Sequence, residues 1–477
     1  LTPPHQHSHV IGNSNYGGEK EVRDAIDAAM KARSKWANMS WEHRASIFLK
    51  AADLLAGPFR ARLNAATMLA QSKNVMQAEI DAACELIDFF KFNVQYMSQL
   101  YKEQPESGPG MWNRLEHRPL EGFVFALTPF NFTSICANLC AAPAMLGNVV
   151  VWKPAETQIY SAQVIMELFK AAGLPDGVFN VVHGDKEAVD ALLINKDIAA
   201  ISFVGSTPVA KYIYENAAKN EKRVQALGGA KNHCVIMPDC DLDQAVNGLM
   251  GAAYGSAGER CMAQSVAVAV GKIGNQLVSK LAKKVESLKV GPGLDKNSEM
   301  GPLVTKQHLE KVRGYVDLGV KEGAKLVVDG RNIKLQGYEK GFYIGGCLFD
   351  NVDKKMRIYK EEIFGPVLSV VRVKDFNSAV NLVNDHELGN GTSIYTRDGD
   401  VGRTFASKIK IGMVGINIPI PVPVAYHSFG GWKRSLFGDQ HMHGPEGVRF
   451  YTKLKTITSK WPTGLTENPD FKMPILN

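Results

Sequence analysis

The sequence lacks features that mark several classes of protein. Its 477 residues contain no apolar run of about eighteen residues, the least that a membrane-spanning helix needs. Lys and Arg total 55 against 48 Asp and Glu, and their scattering is unlike the basic stripe of a nucleic-acid-binding protein. With 45% hydrophobic residues the chain can bury a large core, which excludes disorder as its main state. The length predicts two or three domains.

The sequence also lacks the cysteine and glycine motifs that mark disulfide-rich, zinc-binding and common dinucleotide-binding proteins. The 7 cysteines are an odd and sparse set, which indicates free thiols in a reducing compartment. No pair has CxxC spacing and no His/Cys cluster has zinc-finger spacing, so we predict no metal site. The GxGxxG fingerprint of common dinucleotide-binding enzymes is absent. A phosphate-binding turn with a different sequence is the remaining alternative.

Hydrophobic periodicity divides the chain. Apolar residues at helical spacing predict helices over Glu19–Trp36, Arg44–Leu55 and Met76–Met97. From Gly122 the pattern alternates strand and helix, and a second alternating set begins near Asn232. Such alternation is typical of parallel sheets covered by helices on both faces. The predicted fold class is therefore α/β.

The strongest local motif surrounds one cysteine. The run Gly255-Ser-Ala-Gly258-Glu-Arg-Cys261 places a thiol among small residues, where backbone can approach a ligand closely. Nearby backbone N–H groups favour a thiolate and an oxyanion. Taken alone, the motif fits a buried structural cysteine at least as well as a nucleophile.

Five further motifs follow predicted strands or lie in loops. Asn131, in Thr128-Pro-Phe-Asn-Phe, suits an oxyanion donor or an ordinary turn. Lys153 and Glu156 end a strand and suit ribose hydroxyls or a solvated loop. Gly205 and Ser206 come before a predicted helix, whose N-terminus suits a phosphate. The last two motifs lie in loops: one contains Glu362 and Phe364 and also fits an acidic turn, and the other contains Phe429 and also fits a Gly-rich loop.

Together and in this order, these motifs resemble the aldehyde dehydrogenase superfamily. The runs that carry the resemblance are PFNF, KPAE, FVGST, GERC, EEIFGPV and FGGWKRS. The likeness covers nearly the whole chain, and it favours a nucleophilic Cys261. It implies a Rossmann-like NAD-binding domain (1–104 and 122–230), an α/β catalytic domain (231–425) and a β oligomerisation arm (105–121 and 448–461).

The resemblance changes along the chain. Residues before about 180 look like Δ1-pyrroline-5-carboxylate dehydrogenase, on the stretches Gln77–Phe90 and Pro119–Thr133. Residues from about 183 look like CoA-acylating methylmalonate-semialdehyde dehydrogenase, on the stretches Gln225–His233, Gly258–Ala263 and Pro421–Gly431. Within the first part, Glu85 matches a position near a catalytic site and equally fits a surface helix.

Roles for single residues follow from the resemblance. Cys261 is the expected nucleophile, and Asn131 the oxyanion donor. The riboses of NAD are expected to be bound by Lys153, Glu156 and Glu362. The pyrophosphate is expected at Ser206, beside Gly205, and Phe364 is expected to pack against the cofactor. Arg260 and Phe429 are the expected substrate-binding residues, with Arg260 gripping a carboxylate through paired hydrogen bonds.

One position departs from the hydrolytic members that the chain resembles. Those members carry a Glu two residues before a Gly-Gly pair, whereas this sequence has Ala226. Loss of a general base slows hydrolysis by about 10²–10⁴-fold. A thiol such as coenzyme A attacks a thioester without that base, so acyl transfer to coenzyme A is predicted.

The predicted function is therefore NAD-dependent oxidation of a carboxylated semialdehyde through a cysteine thioester. Methylmalonate or malonate semialdehyde is the first expectation, and glutamate semialdehyde is the alternative. A catalytically inactive binding protein is a third reading, opposed by the set of Asn131, Cys261 and Glu362. The resemblance further implies a homodimer or homotetramer, located in the mitochondrial matrix of a eukaryote or the cytoplasm of a bacterium.

Overall fold

Two sheets of mainly parallel strands organise the molecule. The computed structural model describes residues 1–422 and 425–461, so residues 423 and 424 of the predicted stretch Pro421–Gly431 lie outside the described part. Each sheet is covered by helices and has its own buried apolar core. The predicted α/β fold is confirmed.

The chain begins with a helical layer. Its helices are α1 (Glu19–Ala37), α2 (Trp41–Ala56), α3 (Arg60–Gln71), α4 (Val75–Ala78) and α5 (Leu86–Lys102), with a π-helical turn over Glu79–Glu85 between the last two. The three predicted helices are present, whereas α3 was not predicted. In α1 the buried residues Val22, Ile26 and Ala29 recur at helical spacing, which explains why periodicity found it.

The first sheet follows β1 (Trp112–Pro119). Its elements are β2 (Phe123–Leu127), α6 (Thr133–Met145), β3 (Val149–Lys153), α7 (Ile159–Ala172), β4 (Phe179–Val181), α8 (Lys186–Leu193), β5 (Ile198–Val204), α9 (Thr207–Lys219) and β6 (Arg223–Leu227). Strands β6, β5, β2, β3 and β4 are neighbours in that order and run parallel. Every residue of β2 and β3 is buried, as central parallel strands require.

The second sheet is built by residues 232–416. Its elements are β7 (Asn232–Ile236), α10 (Leu242–Tyr254), β8 (Gln264–Val270), α11 (Gly274–Glu286), α12 (Lys306–Lys321), β9 (Lys325–Val328), β10 (Cys347–Asp350), α13 (Arg357–Lys360), β11 (Val367–Val373), α14 (Phe376–Asp385), β12 (Leu388–Gly389), β13 (Gly391–Tyr395), α15 (Gly399–Lys408) and β14 (Met413–Ile416). Seven of the described strands form the sheet, in the order β14-β13-β7-β8-β11-β10-β9, whereas β12 pairs outside it, with residues 432–433. Only β9 is antiparallel to its neighbour among these described strands.

The C-terminal part returns to the first sheet. It contains β15 (Trp432–Lys433), β16 (Leu436–Phe437), α16 (Pro445–Arg449) and β17 (Thr452–Ser459). Strand β16 pairs antiparallel with β6, and Tyr451 is buried in the first core, where its hydroxyl lies 2.6 Å from the hydroxyl of Ser202. Strand β17 pairs antiparallel with β1 from Thr452 to Ser459. These two strands lie within the predicted arm segments, 105–121 and 448–461.

The N-terminus contacts the second region. The backbone N–H of Phe342 donates to the carbonyl of Pro4 at 3.1 Å, and the ring of His7 lies 4.2 Å from the ring of Phe342. Pro4 and His7 therefore contact the region of the second sheet, while the domain bounds expected from the resemblance stay a prediction. No helix of the described residues is long and apolar enough to cross a membrane.

Candidate active site

The two residues predicted to be catalytic meet between the two sheets. Asn131 lies in the loop from β2 to α6, and its side-chain amide donates to the carbonyl of Glu259 at 3.0 Å. Glu259 stands two residues before Cys261. The second N–H of the Asn131 amide is available to an oxyanion on a group bonded to the Cys261 sulfur.

A strained turn presents Cys261. The preceding residues Ser256, Ala257 and Gly258 all have left-handed backbone, with φ of 52°, 53° and 71°. At Gly258 an added Cβ would lie 2.3 Å from the carbonyl oxygen of Gly365, so any larger residue would displace the turn. Backbone strain held by surrounding structure is common at functional sites.

Two neutral amides hold the cysteine backbone. The side chains of Asn232, on β7, and Asn390, before β13, donate to the Cys261 carbonyl at 2.9 and 3.1 Å. Asn232 also donates to the carbonyl of Ala263 at 2.9 Å. The loop is thereby anchored to two strands of the second sheet.

The surroundings of the Cys261 thiol favour its protonated form. Cys261 is half-buried, and burial raises the pKa of its thiol to about 11. The negative charges of Glu362 and Glu85 act in the same direction on that pKa, whereas Arg260 opposes them. Reaction therefore requires the thiol to lose its proton in the assembled site.

A buried ion pair supports Asn131. The Lys73 ammonium donates to the Asp81 carboxylate and to the Asn131 carbonyl, each at 2.7 Å. Asp81 also accepts the backbone N–H groups of Thr133 and Ser134, each at 3.0 Å. One carboxylate thus satisfies the first turn of α6 and fixes the lysine that positions Asn131.

Glu362 enters the same recess from the loop after α13. Its carboxylate accepts the backbone N–H of Ala230 at 2.7 Å, and it lines a cavity with Cys261 and Phe364. At Gly229 an added Cβ would lie 2.3 Å from the Glu362 carboxylate, so glycine leaves the room that Glu362 occupies. Burial raises the pKa of Glu362.

A second buried lysine holds the backbone before Glu362. The Lys231 ammonium donates to the carbonyls of Ile358 and Glu361, both at 2.8 Å. Burial lowers the pKa of Lys231 to about 7. Phe364 follows with a φ of 61°, and its carbonyl accepts from a ring nitrogen of His308 at 2.6 Å.

Arg260 is an incompletely partnered cation beside the nucleophile. Its guanidinium donates to the carbonyls of Gly251 and Ala252, and its Nε is buried without a hydrogen-bond partner. It lines the cavity that also holds Cys261. Burial lowers the pKa of Arg260 to about 10. An unpaired guanidinium in this position is suited to an incoming carboxylate.

Of the predicted nucleotide-binding residues, those other than Glu362 and Phe364 lie at or just after the carboxyl ends of strands in the first sheet. Lys153 ends β3 and is buried, and its ammonium has a 3.5 Å contact with the carbonyl of Pro154. Burial lowers the pKa of Lys153, and the charge of Glu156 opposes that shift. Ser206 is the N-cap residue of α9, but its side chain makes no capping hydrogen bond.

These residues fit a dinucleotide. The Lys153 ammonium is buried with one long contact, and the Ser206 hydroxyl makes no capping hydrogen bond at the start of α9. The hydroxyls and phosphates of a nucleotide would give both donors a partner. Gly205 precedes Ser206 and lies against Phe203, so an added Cβ would lie 2.4 Å from that ring.

Two other predicted positions lie in the first core or at its border. Ala226 is fully buried on β6, between Phe203 and Phe437 of the neighbouring strands. Phe429 stacks on His443 with ring centroids 4.2 Å apart, and His443 stacks on Phe89. A role for Phe429 in substrate binding stays a prediction.

Sequence reasoning missed the residues that hold the site together. These are Lys73, Asp81, Ser134, Lys231 and Asn390. Single polar residues in helices and loops carry no distinctive pattern, and only an Asp or Lys inside an apolar stretch gives a weak signal. Within the described ranges, no group of three or more His, Cys, Asp or Glu residues could hold a metal ion.

Comparison with known proteins decides the family. The sequence pattern described as "Aldehyde dehydrogenase family" matches residues 2–457. The chain belongs to the aldehyde dehydrogenase family.

Its relatives include both predicted types. A malonate-semialdehyde dehydrogenase of Pseudomonas aeruginosa is 50% identical over 463 residues, covering 96% of this chain and 92% of the relative. The crystal structure of methylmalonate-semialdehyde dehydrogenase from Oceanimonas doudoroffii matches with a TM-score of 0.90 and 48% identity, covering 94% of this chain and 92% of that one.

A pyrroline-5-carboxylate dehydrogenase is also similar. The Mycobacterium tuberculosis structure bound with NAD matches with a TM-score of 0.90 and 32% identity, covering 98% of this chain and 88% of that one. Each of these likenesses extends across residue 180, so neither is limited to the part of the sequence that suggested it. Identity is higher to the malonate and methylmalonate enzymes.

Proposed function

We propose that this aldehyde dehydrogenase oxidises malonate or methylmalonate semialdehyde with NAD+ and transfers the acyl group to coenzyme A. The observation that carries the proposal is the pair of neighbours Arg260 and Cys261 in one cavity, with Arg260 incompletely partnered. The relatives named for these semialdehydes support the same substrate class.

Acylation uses residues on both sides of the recess. The Cys261 thiolate adds to the aldehyde carbon, and the carbonyl oxygen becomes an oxyanion. The free N–H of Asn131 and the backbone N–H of Cys261 stabilise that oxyanion. Arg260 binds the distal carboxylate and so orients the aldehyde toward the sulfur. The product of oxidation is a thioester on Cys261.

The expected cofactor is NAD+, which supplies the hydride acceptor when bound. Lys153 and Glu156 would hold one ribose, and Ser206 the pyrophosphate. Glu362 would hold the second ribose once its carboxylate turns from the N–H of Ala230. An acidic contact such as Glu156 disfavours a 2′-phosphate by repulsion, so NAD+ is expected over NADP+.

The exit of the acyl group is set by what stands at position 226. The methyl group of Ala226 is fully buried on β6 and cannot accept a proton from water. The thiol of coenzyme A attacks the thioester carbon, a new C–S bond forms, and the bond to Cys261 breaks. The proton of the incoming thiol returns to the released Cys261 sulfur.

The test is NADH release with and without coenzyme A. With malonate semialdehyde, steady-state turnover should depend on coenzyme A, while a single burst of NADH should appear without it. The Cys261→Ala variant should show neither. Equal steady-state rates with and without coenzyme A would contradict the acyl-transfer step. Turnover of pyrroline-5-carboxylate independent of coenzyme A would favour the glutamate-semialdehyde alternative.

We further propose that the arm joins copies of this chain into a homodimer or homotetramer. Strands β1 and β17 form a two-stranded sheet, and Trp112 and Leu454 are 56% and 57% exposed on it. An edge strand with exposed apolar side chains is a common pairing surface. Light scattering should give a multiple of the chain mass, 52.2 kDa, and Leu454→Lys should weaken the assembly.

A further inference from the structure

A second carboxylic acid stands beside the nucleophile and has no part in the mechanism above. Glu85 closes the π-helical turn Glu79–Glu85. It is half-buried, and its charge acts on the thiol of Cys261. Glu85 therefore lies near enough to Cys261 for its charge to act on the thiol.

Hydrogen-bond counting indicates the protonation state of Glu85. The Ser134 hydroxyl lies 2.8 Å from the Asp81 carboxylate and 2.9 Å from the Glu85 carboxyl group. This hydroxyl has one proton for two acceptors. Since Asp81 is the ion-pair partner of Lys73, the proton of Ser134 goes to Asp81. Glu85 then completes the chain by donating its own proton to Ser134.

The electrostatic surroundings agree with this assignment. Burial raises the pKa of Glu85 to about 8, and the negative charge of Asp81 raises it further. Asp88 on α5 acts in the same direction, whereas Lys73 opposes the shift. The hydrogen bonds and the raised pKa therefore agree on a protonated Glu85 at neutral pH.

We propose that Glu85 is a specificity-determining residue that must be uncharged for an anionic aldehyde to bind beside Arg260. Ionised Glu85 would add a negative charge near a recess that must receive a substrate carboxylate and form a thiolate. When Glu85 is neutral, the positive charge of Arg260 determines which aldehydes bind. The inference rests on the proposed function in so far as the substrate is anionic.

Alkylation of Cys261 tests the local charge without any aldehyde. Iodoacetate is an anionic reagent and iodoacetamide is its neutral counterpart, so the ratio of their rates cancels the fraction of thiolate. Rates are read on the Cys261 peptide by mass spectrometry, because Cys84 is exposed. From pH 7 to 9 the ratio should fall about threefold to tenfold in the wild type, as expected for a like charge nearby.

Glu85→Gln is the decisive variant, since it retains hydrogen bonding and removes the titration. Its ratio should stay flat over the same pH range. Glu79→Gln is the matched control, because Glu79 begins the same π-helical turn and pairs with Arg60. The control should follow the wild type. A flat ratio in the wild type, or an equal fall in Glu85→Gln, would overturn the proposal.

A kinetic arm separates this inference from the proposed function. KM for malonate semialdehyde should rise about threefold to tenfold from pH 7 to 9 in the wild type and stay constant in Glu85→Gln. KM for propanal, a neutral aldehyde, should be the same in both proteins. Failure of malonate semialdehyde to react, with a falling alkylation ratio, would reject the proposed substrate and retain the role of Glu85.

Discussion

Two buried lysines support opposite sides of the active site by different means. Lys73 lies under the Asn131 loop and pairs with the Asp81 carboxylate at 2.7 Å. Lys231 lies under the Glu362 loop and donates to two backbone carbonyls. Their side chains are about equally buried, since the residues are 2% and 3% exposed.

The difference teaches that the partner, rather than burial alone, determines what a buried lysine does. Burial lowers the pKa of both side chains, but Asp81 opposes the shift at Lys73. Lys231 receives weaker help from the charges of Glu362 and Glu361. Lys73 is thus a structural cation, whereas Lys231 is close to losing its charge at neutral pH.

Lys73→Met should give the largest effect. It leaves the Asp81 carboxylate buried without its cation, which typically costs about 3–5 kcal/mol. Urea unfolding should show this loss in the free energy of unfolding. The double variant Lys73→Met/Asp81→Asn should recover part of it, because the unpaired charge is gone.

An exposed lysine provides the control for this substitution. Lys20 pairs with Asp24 on the surface of α1, and Lys20→Met should leave the free energy of unfolding nearly unchanged. A Lys73→Met protein as stable as Lys20→Met would show that the two buried lysines do not differ as described.

Asn131→Ala should lower the reaction rate without a comparable loss in the free energy of unfolding. Loss of an oxyanion donor lowers kcat about 10²–10³-fold. Because the Lys73–Asp81 pair remains, the protein should lose less stability than Lys73→Met does. Single-turnover NADH formation and urea unfolding on the same samples measure both quantities. Normal acylation in the variant would remove Asn131 from the oxyanion site.

Lys231→Met should have a smaller effect on stability. It leaves the carbonyls of Ile358 and Glu361 without their donor, at about 1–3 kcal/mol, but Lys231 forms no direct ion pair with a carboxylate of the described residues. KM for NAD+ should rise, because the Glu362 loop loses its anchor. Lys360→Met, at an exposed position of α13, is the control. A larger destabilisation than that of Lys73→Met would reverse the comparison.

The smallest expected effect is the change in the free energy of unfolding per pH unit. In the unfolded chain Lys231 keeps its proton up to its ordinary pKa of 10.5, while in the folded protein it loses the proton above about 7. Between these values the unfolded state binds more protons, so the free energy of unfolding rises with pH. The slope is at most about 1.4 kcal/mol per pH unit.

Urea midpoints of wild type and Lys231→Met measure this slope directly. The contribution of Lys231 should increase from pH 7 toward pH 10 and be absent from the variant. Parallel curves for the two proteins across that range would show that Lys231 keeps its charge. Lys73→Met should not remove the slope.

Much of the fold was predictable because it rests on local patterns. Strands β2 and β3 are continuous apolar runs, and α7 ends at Gly173 with a φ of 95°, as its C-cap position predicted. Helix α3 escaped notice because its buried residues are mostly small. Strand β16 could not be assigned either, since its pairing with β6 spans more than two hundred residues.

The chemical residues were more predictable than their supports. Asn131, Cys261 and Glu362 stand in motifs whose neighbours are glycine, proline or aromatic residues that shape a turn. The contacts of Lys73 and Asn390 arise only when distant segments pack together. Residue Asn390, for example, reaches the Cys261 carbonyl across 129 positions of sequence, and no local spacing encodes that meeting.

The π-helical turn Glu79–Glu85 has a consequence for how this site can change. A π-helical turn accommodates one more residue than an α-helical turn. Deleting one residue between Asp81 and Glu85 would restore α-helical winding and bring these two residues one position closer along the helix. Ser134 would then no longer contact both carboxyl groups as it does now. Libraries of single-residue deletions, rather than substitution scans, are therefore the way to explore how this wall of the pocket sets substrate choice.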